Sequence, residues 1–340
     1  MKRDGQDSMI RFGLVGYGHI GKRHVKLIQD LPNAELVAIC DDEVSDDEIK
    51  VPFFRDLDAM LHSVAMDIVV IATPHYLHFE QSIEALNKGC HVLVEKPMAL
   101  NTQDAKQMVE LAASRQLKLW VVKQNRYNTP VFALEHLIKT GKMGAIHLIE
   151  CQVLWNRVPE YYSQSDWRGS LSKEGGALFT HASHFIDLMV DWCGPIIDAN
   201  GFCVKRQQEI ETEDVGCANI KFQSGTLGSI QWTTLAHEKN FEGSIAVVGE
   251  KGTVKIGGPY LNQFDYWKVE GYPLPGINWG EDVEDEQGLY QSFGNNHGMV
   301  YQAIMAELKS GKKMAVDGLD GVKSIEAIEL IYQRIQRISC

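Results

Sequence analysis

The chain has 340 residues, of which 44% are hydrophobic and 23% charged, and its formal net charge is -12. These values are ordinary for a globular protein, and the length favours two domains, each able to bury a core of its own. The acidic balance argues against a nucleic acid or a membrane surface as partner, because both require a basic face, but it allows a phosphate-bearing small molecule.

The seven cysteines are scattered, odd in number and without a CxxC pair, which indicates reduced thiols and a cytoplasmic location. The polar start of the chain predicts a frayed tail over residues 1–8 and no signal sequence. No apolar run reaches about 18 residues, so we expect no transmembrane helix.

The N-terminal third of the chain alternates apolar strands with helices. Strands are predicted near residues 9–15, 34–41, 66–74, 91–97 and 118–125. Helical spacing is found at residues 22–31, 57–65, 76–89 and 102–116. Strands of this kind alternating with helices predict an α/β fold, with a doubly wound parallel sheet in a domain over residues 1–123.

From residue 124 the pattern changes to longer strands joined by tight glycine turns. Strands are expected within residues 145–155, 215–236, 244–258 and 264–271, an acidic loop at 281–288, and closing helices at 297–311 and 321–339. This predicts a second α/β domain over residues 124–340 with a mostly antiparallel open sheet. A partner subunit could cover the free face of that sheet.

The segment GYGHIG places Gly16, Gly18 and Gly21 in GxGxxG spacing between the first strand and the first helix, and Asp41 ends the second strand. This context predicts a dinucleotide site, with the pyrophosphate at the helix N-terminus and Asp41 on the ribose hydroxyls. A glycine-rich turn of a flavodoxin-like sheet is the alternative. Asp41 would repel a 2′-phosphate, and residues 42–48 add acids but no Arg or Lys that could neutralise one, which favours NAD over NADP. The remaining motif residues expected to contact the cofactor are Tyr17, His19 and Ile20.

Ligands of open α/β sheets bind outside the carboxyl ends of the strands. Thr73, Pro74 and His78 follow the third strand, and we expect them to lie along the cofactor. Glu95 and Lys96 follow the fourth strand, where an ammonium could contact the nicotinamide ribose and the reacting oxygen. By the residues alone, Lys96 could equally be a surface lysine on a turn.

The segments GLVGYGHIG, VVIATPHYLH, HVLVEKPMA, DWRG and GGALFTHASHFIDL occur in this order, and the chain resembles the Gfo/Idh/MocA family of oxidoreductases. The resemblance implies a Rossmann domain, a C-terminal α/β domain that oligomerises through its sheet as a homodimer or homotetramer, and NAD(P)-dependent hydride transfer on sugars, inositols or nucleotide sugars. It implies that Lys96 lies beside nicotinamide and substrate, that Trp167 and Arg168 contact the cofactor, and that Arg126 lies near the active site.

The family pattern GGxxxDxxxH is present with one departure, since Thr180 stands at the aspartate position and His184 is retained. His184, one helical turn after Thr180, is the expected catalytic base, together with Lys96. His181 is a second polar contact, and Asp187 could orient His184 or simply cap the helix. A metal site at these residues is disfavoured, because offsets of three drift around a helix whereas metal helices use i, i+4.

The segments YYSQSDWRG and GNNHGMVY resemble a subgroup close to nucleotide-sugar 3-dehydrogenases, which act on UDP-N-acetylglucosamine or its uronic acid. Arg157 could bind a carboxylate or phosphate, Tyr161 could stack on a sugar or uracil, and His297 could donate to the substrate. An inositol or free-sugar dehydrogenase remains an alternative, and so does a non-catalytic NAD-binding sensor, which only the Thr180 substitution supports.

Overall fold

The computed structural model describes residues 9–42, 50–207, 209–274 and 296–338. The predicted tail at 1–8 and the predicted acidic loop at 281–288 lie outside these residues. The chain forms two compact units. Unit 1 consists of Met1–Ala99, Gln103–Val122 and His297–Gly321, and unit 2 of Leu100–Thr102, Lys123–Asn296 and Val322–Cys340.

Unit 1 is built on one parallel sheet. Its strands are β1 (Ile10–Val15), β2 (Ala34–Cys40), β3 (Phe53–Phe54), β4 (Ile68–Ile71), β5 (His91–Val94) and β6 (Leu119–Val121). They lie in the order β3-β2-β1-β4-β5-β6, and every pair is parallel. All residues of β4 are buried, as expected for a strand covered on both faces. The predicted parallel Rossmann sheet is confirmed.

Helices follow the strands of this sheet. They are α1 (His19–Gln29), α2 (Leu57–Ser63), α3 (His78–Asn87) and α4 (Thr102–Ser114), with a short 3₁₀ helix at His75–Leu77 before α3. The side chain of Asp56 caps α2 by accepting a hydrogen bond from the N–H of Ala59 at 2.8 Å. The carboxyl ends of β1, β2, β4 and β5 lead into the loops that carry the predicted cofactor residues.

Unit 1 also contains a helix from late in the chain, α9 (His297–Ser310). Its Tyr301 is buried, and the Tyr301 ring lies edge-on to the Phe12 ring with centroids 5.8 Å apart. The units therefore differ from the predicted domains, which placed all of 124–340 together. Apolar spacing predicts a helix at this position but cannot show which sheet the helix will pack against.

Unit 2 is built on an eight-stranded mixed sheet. Its strands are β7 (Ile146–Leu154), β8 (Ile196–Val204), β9 (Val215–Phe222), β10 (Leu227–Thr233), β11 (Glu242–Gly249), β12 (Gly252–Gly257), β13 (Gln263–Val269) and β14 (Ile335–Ile338). They lie in the order β13-β12-β11-β7-β10-β9-β8-β14. The pairs β7–β10 and β8–β14 are parallel and the others antiparallel, so the predicted mostly antiparallel sheet is confirmed.

The remaining helices are α5 (Thr129–Lys139), α6 (Pro159–Ser163), α7 (Ala177–Thr180), α8 (Ser183–Cys193) and α10 (Gly318–Arg334). A 3₁₀ helix at Gln124–Tyr127 precedes α5. Helix α8 is buried along almost its whole length and contacts β7 and α5. Within the described ranges, no helix is both long enough and apolar enough to cross a bilayer.

The end of the chain corrects one prediction. Helical spacing predicted a helix over residues 321–339, but α10 ends at Arg334 and residues Ile335–Ile338 form β14. Ile335 pairs with Gly201 of β8, a strand that the sequence pattern also missed. The free edge of β8 offers hydrogen-bond partners to a β-branched segment, and this tertiary pairing overrides the local helical pattern.

Candidate active site

The glycine motif of unit 1 forms the turn between β1 and α1. Gly16 has φ +90°, and a Cβ on Gly16 would lie 2.7 Å from the carbonyl of Ala72. A Cβ on Gly21 would lie 2.0 Å from the carbonyl oxygen of Gly16. At Gly18, the cap of α1, no described atom comes within 4 Å of such a Cβ. The backbone therefore fits a pyrophosphate at the N-terminus of this helix.

Asp41 follows β2 and contacts the glycine loop. Its Oδ2 accepts a hydrogen bond from the backbone N–H of Tyr17 at 2.6 Å. The other predicted loop residues, His19 and Ile20, form the first turn of α1. A carboxylate has about four acceptor positions, so Asp41 can accept this hydrogen bond and also accept hydrogen bonds from the ribose hydroxyls. The sequence pattern did not indicate that Asp41 also stabilises the glycine loop.

His78 is placed differently from the prediction. It is fully buried, and its ring nitrogens lie 2.7 Å from the carbonyl oxygen of Pro97 and 2.8 Å from that of Thr73. Burial lowers the pKa of His78, although these two carbonyls oppose the shift. His78 therefore ties together the loops after β4 and β5, and a cofactor contact by its ring is not favoured. Thr73 Oγ1 donates to Gln81 Oε1 at 2.6 Å, and Pro74 precedes the 3₁₀ helix.

Glu95, at the end of β5, is the centre of a buried polar cluster. Its Oε1 lies 3.1 Å from Nε2 of His24 and 3.5 Å from Nε2 of His297. Its Oε2 accepts a hydrogen bond from the backbone N–H of Lys96 at 3.1 Å. Nδ1 of His24 in turn lies 2.8 Å from the hydroxyl of Tyr301. The carboxylate thus holds the backbone of the turn that carries Lys96.

This cluster gives two residues roles that the sequence did not indicate. Burial alone would raise the pKa of Glu95, but His24 and His297 outweigh it and hold that pKa well below its usual range. His297, predicted to contact substrate, is buried in unit 1 and directed at Glu95. His24 had no sequence signal beyond its place on α1.

The glycine pair in unit 2 is required by packing inside that unit. Gly175 has φ +89° and Gly176 φ +120°, which only glycine adopts readily. A Cβ on Gly176 would lie 2.3 Å from the Tyr332 hydroxyl, and one on Gly175 would lie 2.8 Å from the Phe179 ring. Packing inside unit 2 is therefore sufficient to require glycine at both positions.

The segment after the glycine pair is not one continuous helix. Helix α7 ends at Thr180, and α8 begins at Ser183. The backbone N–H groups of Phe185 and Ile186 both donate to the carbonyl of Ala182, which restarts the helix. The predicted one-turn relation between Thr180 and His184 therefore does not hold as helix geometry. Thr180, His181 and His184 are nevertheless all buried, at 8%, 6% and 7% exposure.

Asp187 contacts the side chains of Arg126, Ser324 and Lys123. Its carboxylate accepts hydrogen bonds from Arg126 Nε at 2.7 Å, Arg126 Nη2 at 3.0 Å and Ser324 Oγ at 2.8 Å, and it lies 3.5 Å from Lys123 Nζ. Arg126 also pairs with Asp191 at 3.0 Å. Burial would raise the pKa of Asp187, but Lys123 and Arg126 hold it well below its usual range. The guanidinium of Arg126 was predicted to contact substrate, but it is already hydrogen-bonded to the carboxylates of Asp187 and Asp191.

Among the described residues, no group of three or more His, Cys, Asp or Glu side chains is arranged to hold a metal ion. Asp187, one member of the pattern that raised the metal hypothesis, is committed to Arg126 and Lys123.

Four predicted ligand residues of unit 2 form an aromatic and cationic cluster. The guanidinium carbon of Arg168 lies 4.3 Å from the ring centroid of Tyr161, and that of Arg157 lies 5.3 Å from it. Nη1 of Arg168 donates to the carbonyl of Tyr161 at 3.0 Å, and Nη1 of Arg157 donates to Asn240 Oδ1 at 3.0 Å. Trp167 lies beside Arg168, at 5.8 Å. The structure thus brings Arg157, Tyr161, Trp167 and Arg168 together, as a site for an anionic ligand requires.

Glu174 immediately precedes the glycine pair and carries no functional signal in the sequence. It is 2% exposed, and its Oε2 accepts a hydrogen bond from the backbone N–H of Gly169 at 2.6 Å. Burial raises the pKa of Glu174 to about 7. An acidic residue beside glycines normally indicates a solvated loop, so no local pattern could have identified it.

The parallel sheet, the glycine turn at the start of α1 and the braced Asp41 define a dinucleotide-binding enzyme of the Rossmann class. Residues 10–123 match the model for the oxidoreductase family with an NAD-binding Rossmann fold, GFO_IDH_MocA, and residues 131–255 match the GFO/IDH/MocA C-terminal domain.

Known proteins resemble the chain across most of its length. The WlbA dehydrogenase of Bordetella pertussis, solved with NADH and UDP-GlcNAcA, is 35% identical, with 95% of each chain covered and a TM-score of 0.85. The Chromobacterium violaceum WlbA dehydrogenase, solved with the same two ligands, is 33% identical, covering 95% of this chain and 93% of that chain, with a TM-score of 0.85. The 2,7-anhydro-N-acetylneuraminate hydratase of Escherichia coli K12 is 27% identical, over 73% of this chain and 68% of its own. The chain belongs to the GFO_IDH_MocA oxidoreductase family, and its cofactor is NAD.

Proposed function

We propose that the protein oxidises a ring hydroxyl of a sugar with NAD, or reduces the ketosugar in the reverse direction, and that its substrate is a UDP-N-acetylhexosamine or the corresponding uronic acid, oxidised at C3. The observation that carries this proposal is the 35% identity over 95% of both chains to a dehydrogenase bound to NADH and UDP-GlcNAcA. The arginine and tyrosine cluster of unit 2 supports an anionic, ring-containing substrate.

The residues of unit 1 supply the cofactor site in this proposal. The backbone at Gly16 and Gly18 and the N-terminus of α1 bind the pyrophosphate, while Asp41 binds the adenosine ribose. Bound NAD accepts the hydride. The turn at Lys96 is held rigid by the Glu95 carboxylate, so the Lys96 ammonium is presented from a fixed backbone.

We assign the acid–base role to His184, with Lys96 as a second group that stabilises the developing oxyanion. An imidazole titrates near neutral pH and can accept the hydroxyl proton, whereas an ammonium near the oxygen stabilises its negative charge. The burial of His184 excludes bulk water from its ring.

In unit 2 we assign substrate contacts to Arg157, Tyr161 and His181. Arg157 offers a cation for a carboxylate or phosphate, and the Tyr161 ring offers a stacking face. The predicted contacts of Arg126 and His297 are not retained, since each is engaged with a carboxylate.

The test is to incubate the protein with NAD and a panel of UDP-sugars, free sugars and inositols, and to follow NADH absorbance. We expect turnover with a UDP-N-acetylhexosamine or its uronic acid. Turnover only with inositol or a free sugar would replace the substrate assignment, and tight NAD binding without any turnover would favour the sensor hypothesis.

Two variants test the acid–base assignment. Lys96→Ala and His184→Ala should each lower kcat by about 10²-fold or more while the affinity for NAD changes little. His62→Ala, on the exposed end of α2, is the matched control and should retain activity. Full activity of the His184 variant would remove His184 from the mechanism.

We also propose that the protein is a cytoplasmic homodimer or homotetramer that associates through the unit 2 sheet. Phe202 on β8 and Ile338 on β14 are about half exposed, and they line an apolar depression on this sheet with Val204 and Leu154. The cysteine pattern supports the location. Light scattering should give a mass of two or four chains, and Phe202→Glu should lower it. A monomeric wild type would refute the association.

A further inference from the structure

Helix α7 is a short segment whose N-terminus is held by side chains from distant parts of unit 2. It has only four residues, Ala177–Thr180, and the residue before it, Gly176, has no side chain with which to cap it. The first N–H groups of a helix lack partners within the helix, and so short a helix is not stable on its own. The position of α7 is therefore set by tertiary contacts.

These contacts come from Glu213, which precedes β9, and from Tyr332 on α10. Oε1 of Glu213 accepts a hydrogen bond from the backbone N–H of Ala177 at 3.0 Å. The Tyr332 hydroxyl accepts one from the backbone N–H of Leu178 at 2.9 Å. The same hydroxyl donates to Oε1 of Glu213 at 2.5 Å. Two successive N–H groups of α7 are thus bound by one hydrogen-bonded pair of side chains.

The pair of Glu213 and Tyr332 also explains the glycine at position 176. A Cβ on Gly176 would lie 2.3 Å from the Tyr332 hydroxyl and 3.2 Å from Oε2 of Glu213. The Tyr332 ring stacks on the Phe179 ring, with centroids 6.0 Å apart and an interplanar angle of 26°. Glu213 is 2% exposed, and its Oε2 lies 3.6 Å from Nη2 of Arg337. A serine or aspartate at position 176 could cap α7 without a buried carboxyl, so the arrangement present serves to fix α7 relative to α10.

The backbone transmits this constraint to the residues assigned to the sugar. The carbonyl of Ala177 accepts hydrogen bonds from the N–H groups of His181 at 2.8 Å and Ala182 at 3.2 Å. The carbonyl of Ala182 then accepts the bonds that begin α8, which carries His184 in its first turn. The His181 ring lies 6.1 Å from the ring of Tyr161, centroid to centroid. The location of α7 therefore sets where both histidines lie relative to the arginine and tyrosine cluster.

We infer that Glu213 and Tyr332 are positioning residues for the proposed oxidation, because they hold the segment that carries His181 and His184. The inference rests on the proposed function. Neither Glu213 nor Tyr332 exchanges a proton with the sugar, and the acid–base role stays with His184. A misplacement of about 1 Å can lower a rate by about 10²-fold, so a small shift of α7 is enough to affect turnover. The cofactor residues lie in unit 1, so the affinity for NAD should not depend on this pair.

The first experiment measures kcat, KM for the sugar and the affinity for NAD in two variants. Tyr332→Phe keeps the ring against Phe179 and removes only the hydroxyl, whereas Glu213→Ala removes the carboxylate. Each should lower kcat about 10-fold or more and raise KM for the sugar, with the affinity for NAD unchanged. Glu213→Gln should recover most of the activity, since its amide oxygen can accept the same hydrogen bonds.

Glu307→Ala is the matched control for a purely structural loss. Glu307 is a 3% exposed carboxyl of unit 1 that accepts hydrogen bonds from the backbone N–H groups of Met314 at 3.0 Å and Ala315 at 3.1 Å. This variant should lower the melting temperature but keep kcat and both binding parameters. If Tyr332→Phe and Glu213→Ala also keep them while the wild type turns over the sugar, the inference is refuted and the proposed function stands.

A second experiment does not depend on turnover. It records NMR spectra of the full chain with labelled histidine, in which His181→Gln and His184→Gln identify the ring signals of His181 and His184. Both signals should shift in Tyr332→Phe and Glu213→Ala and stay in place in Glu307→Ala. If no sugar is turned over but these shifts are found, the proposed function fails and the fixing of the segment stands. Ring signals that move in neither variant overturn the inference.

Discussion

Replacing Asp187 by alanine should strongly destabilise unit 2. The carboxylate is 2% exposed and accepts three hydrogen bonds, two from Arg126 and one from Ser324. It also lies 3.5 Å from Nζ of Lys123, whose side chain is 3% exposed. Removing it leaves a buried ammonium without that anion, whereas Arg126 keeps its bond to Asp191.

The magnitude follows from this asymmetry. Breaking a buried ion pair by removing one partner typically costs about 3–5 kcal/mol, most of it from the unpaired charge. For a unit of this size, such a loss corresponds to a fall of roughly 10 °C in melting temperature. Lys123→Met in the Asp187→Ala background should restore much of the loss, because the buried ammonium that has lost the Asp187 carboxylate is then removed as well.

The assay is urea and thermal unfolding of the full chain. Asp191→Ala is the matched control, since Asp191 is 14% exposed and its pairs with Arg126 and Lys139 lie nearer solvent, so roughly 1 kcal/mol is expected. If Asp187→Ala and Asp191→Ala cost the same, or if Lys123→Met restores nothing, the account of the network is wrong.

The contribution of Asp187 to stability depends on pH. Because its cationic neighbours hold the pKa of Asp187 below the unfolded value of about 3.9, its contribution is fully present above that value. The contribution is lost as the pH falls toward the lower folded pKa. The stability difference between wild type and Asp187→Ala should therefore shrink below about pH 4.

Three further predictions concern other sites. Gly21→Ala should abolish NAD binding measured by calorimetry, because the new Cβ would lie 2.0 Å from the carbonyl oxygen of Gly16, and near-normal affinity would contradict the loop geometry. Glu174→Gln should raise stability at pH 8 by at most about 3 kcal/mol and leave it unchanged at pH 4. The reason is that the folded pKa of about 7 lies above the unfolded value, so the wild type loses stability as the pH rises between them. An equal effect at both pH values would refute the raised pKa. Glu95→Gln should lower the free energy of unfolding by about 2 kcal/mol or more at neutral pH, because His24 loses its anionic partner. The stability difference between wild type and Glu95→Gln should shrink at low pH, because the Glu95 carboxylate, whose pKa is lowered in the folded state, is then increasingly protonated. A stability difference between wild type and Glu95→Gln that is as large at pH 3 as at neutral pH would contradict the lowered pKa of Glu95.

The local patterns of unit 1 were sufficient to predict its sheet and its glycine turn. Gly16, Gly18 and Gly21 lie within one strand–turn–helix segment, and the conformation that they require is set by neighbours in sequence. The helical break at Ala182 shows the limit of the same approach. The spacing from Thr180 to His184 matches one helical turn, but one helix ends at Thr180 and a new helix begins at Ser183.

The sequence by itself determined the alternation of strands and helices in unit 1 and the dinucleotide site, because periodicity and glycine spacing are local properties of the chain. The ordered motifs indicated the family by resemblance. Only the tertiary structure decided what the buried charges do. Asp187 meets Arg126 across 61 residues, and Glu95 meets His24 across 71. Burial raises the pKa of Glu174, whereas the sequence around Glu174 is typical of an acidic residue in a solvated loop. The physical reason is that the partner and the solvent exposure of an ionisable group depend on which distant segments pack around it, and these two quantities set its charge and its chemistry.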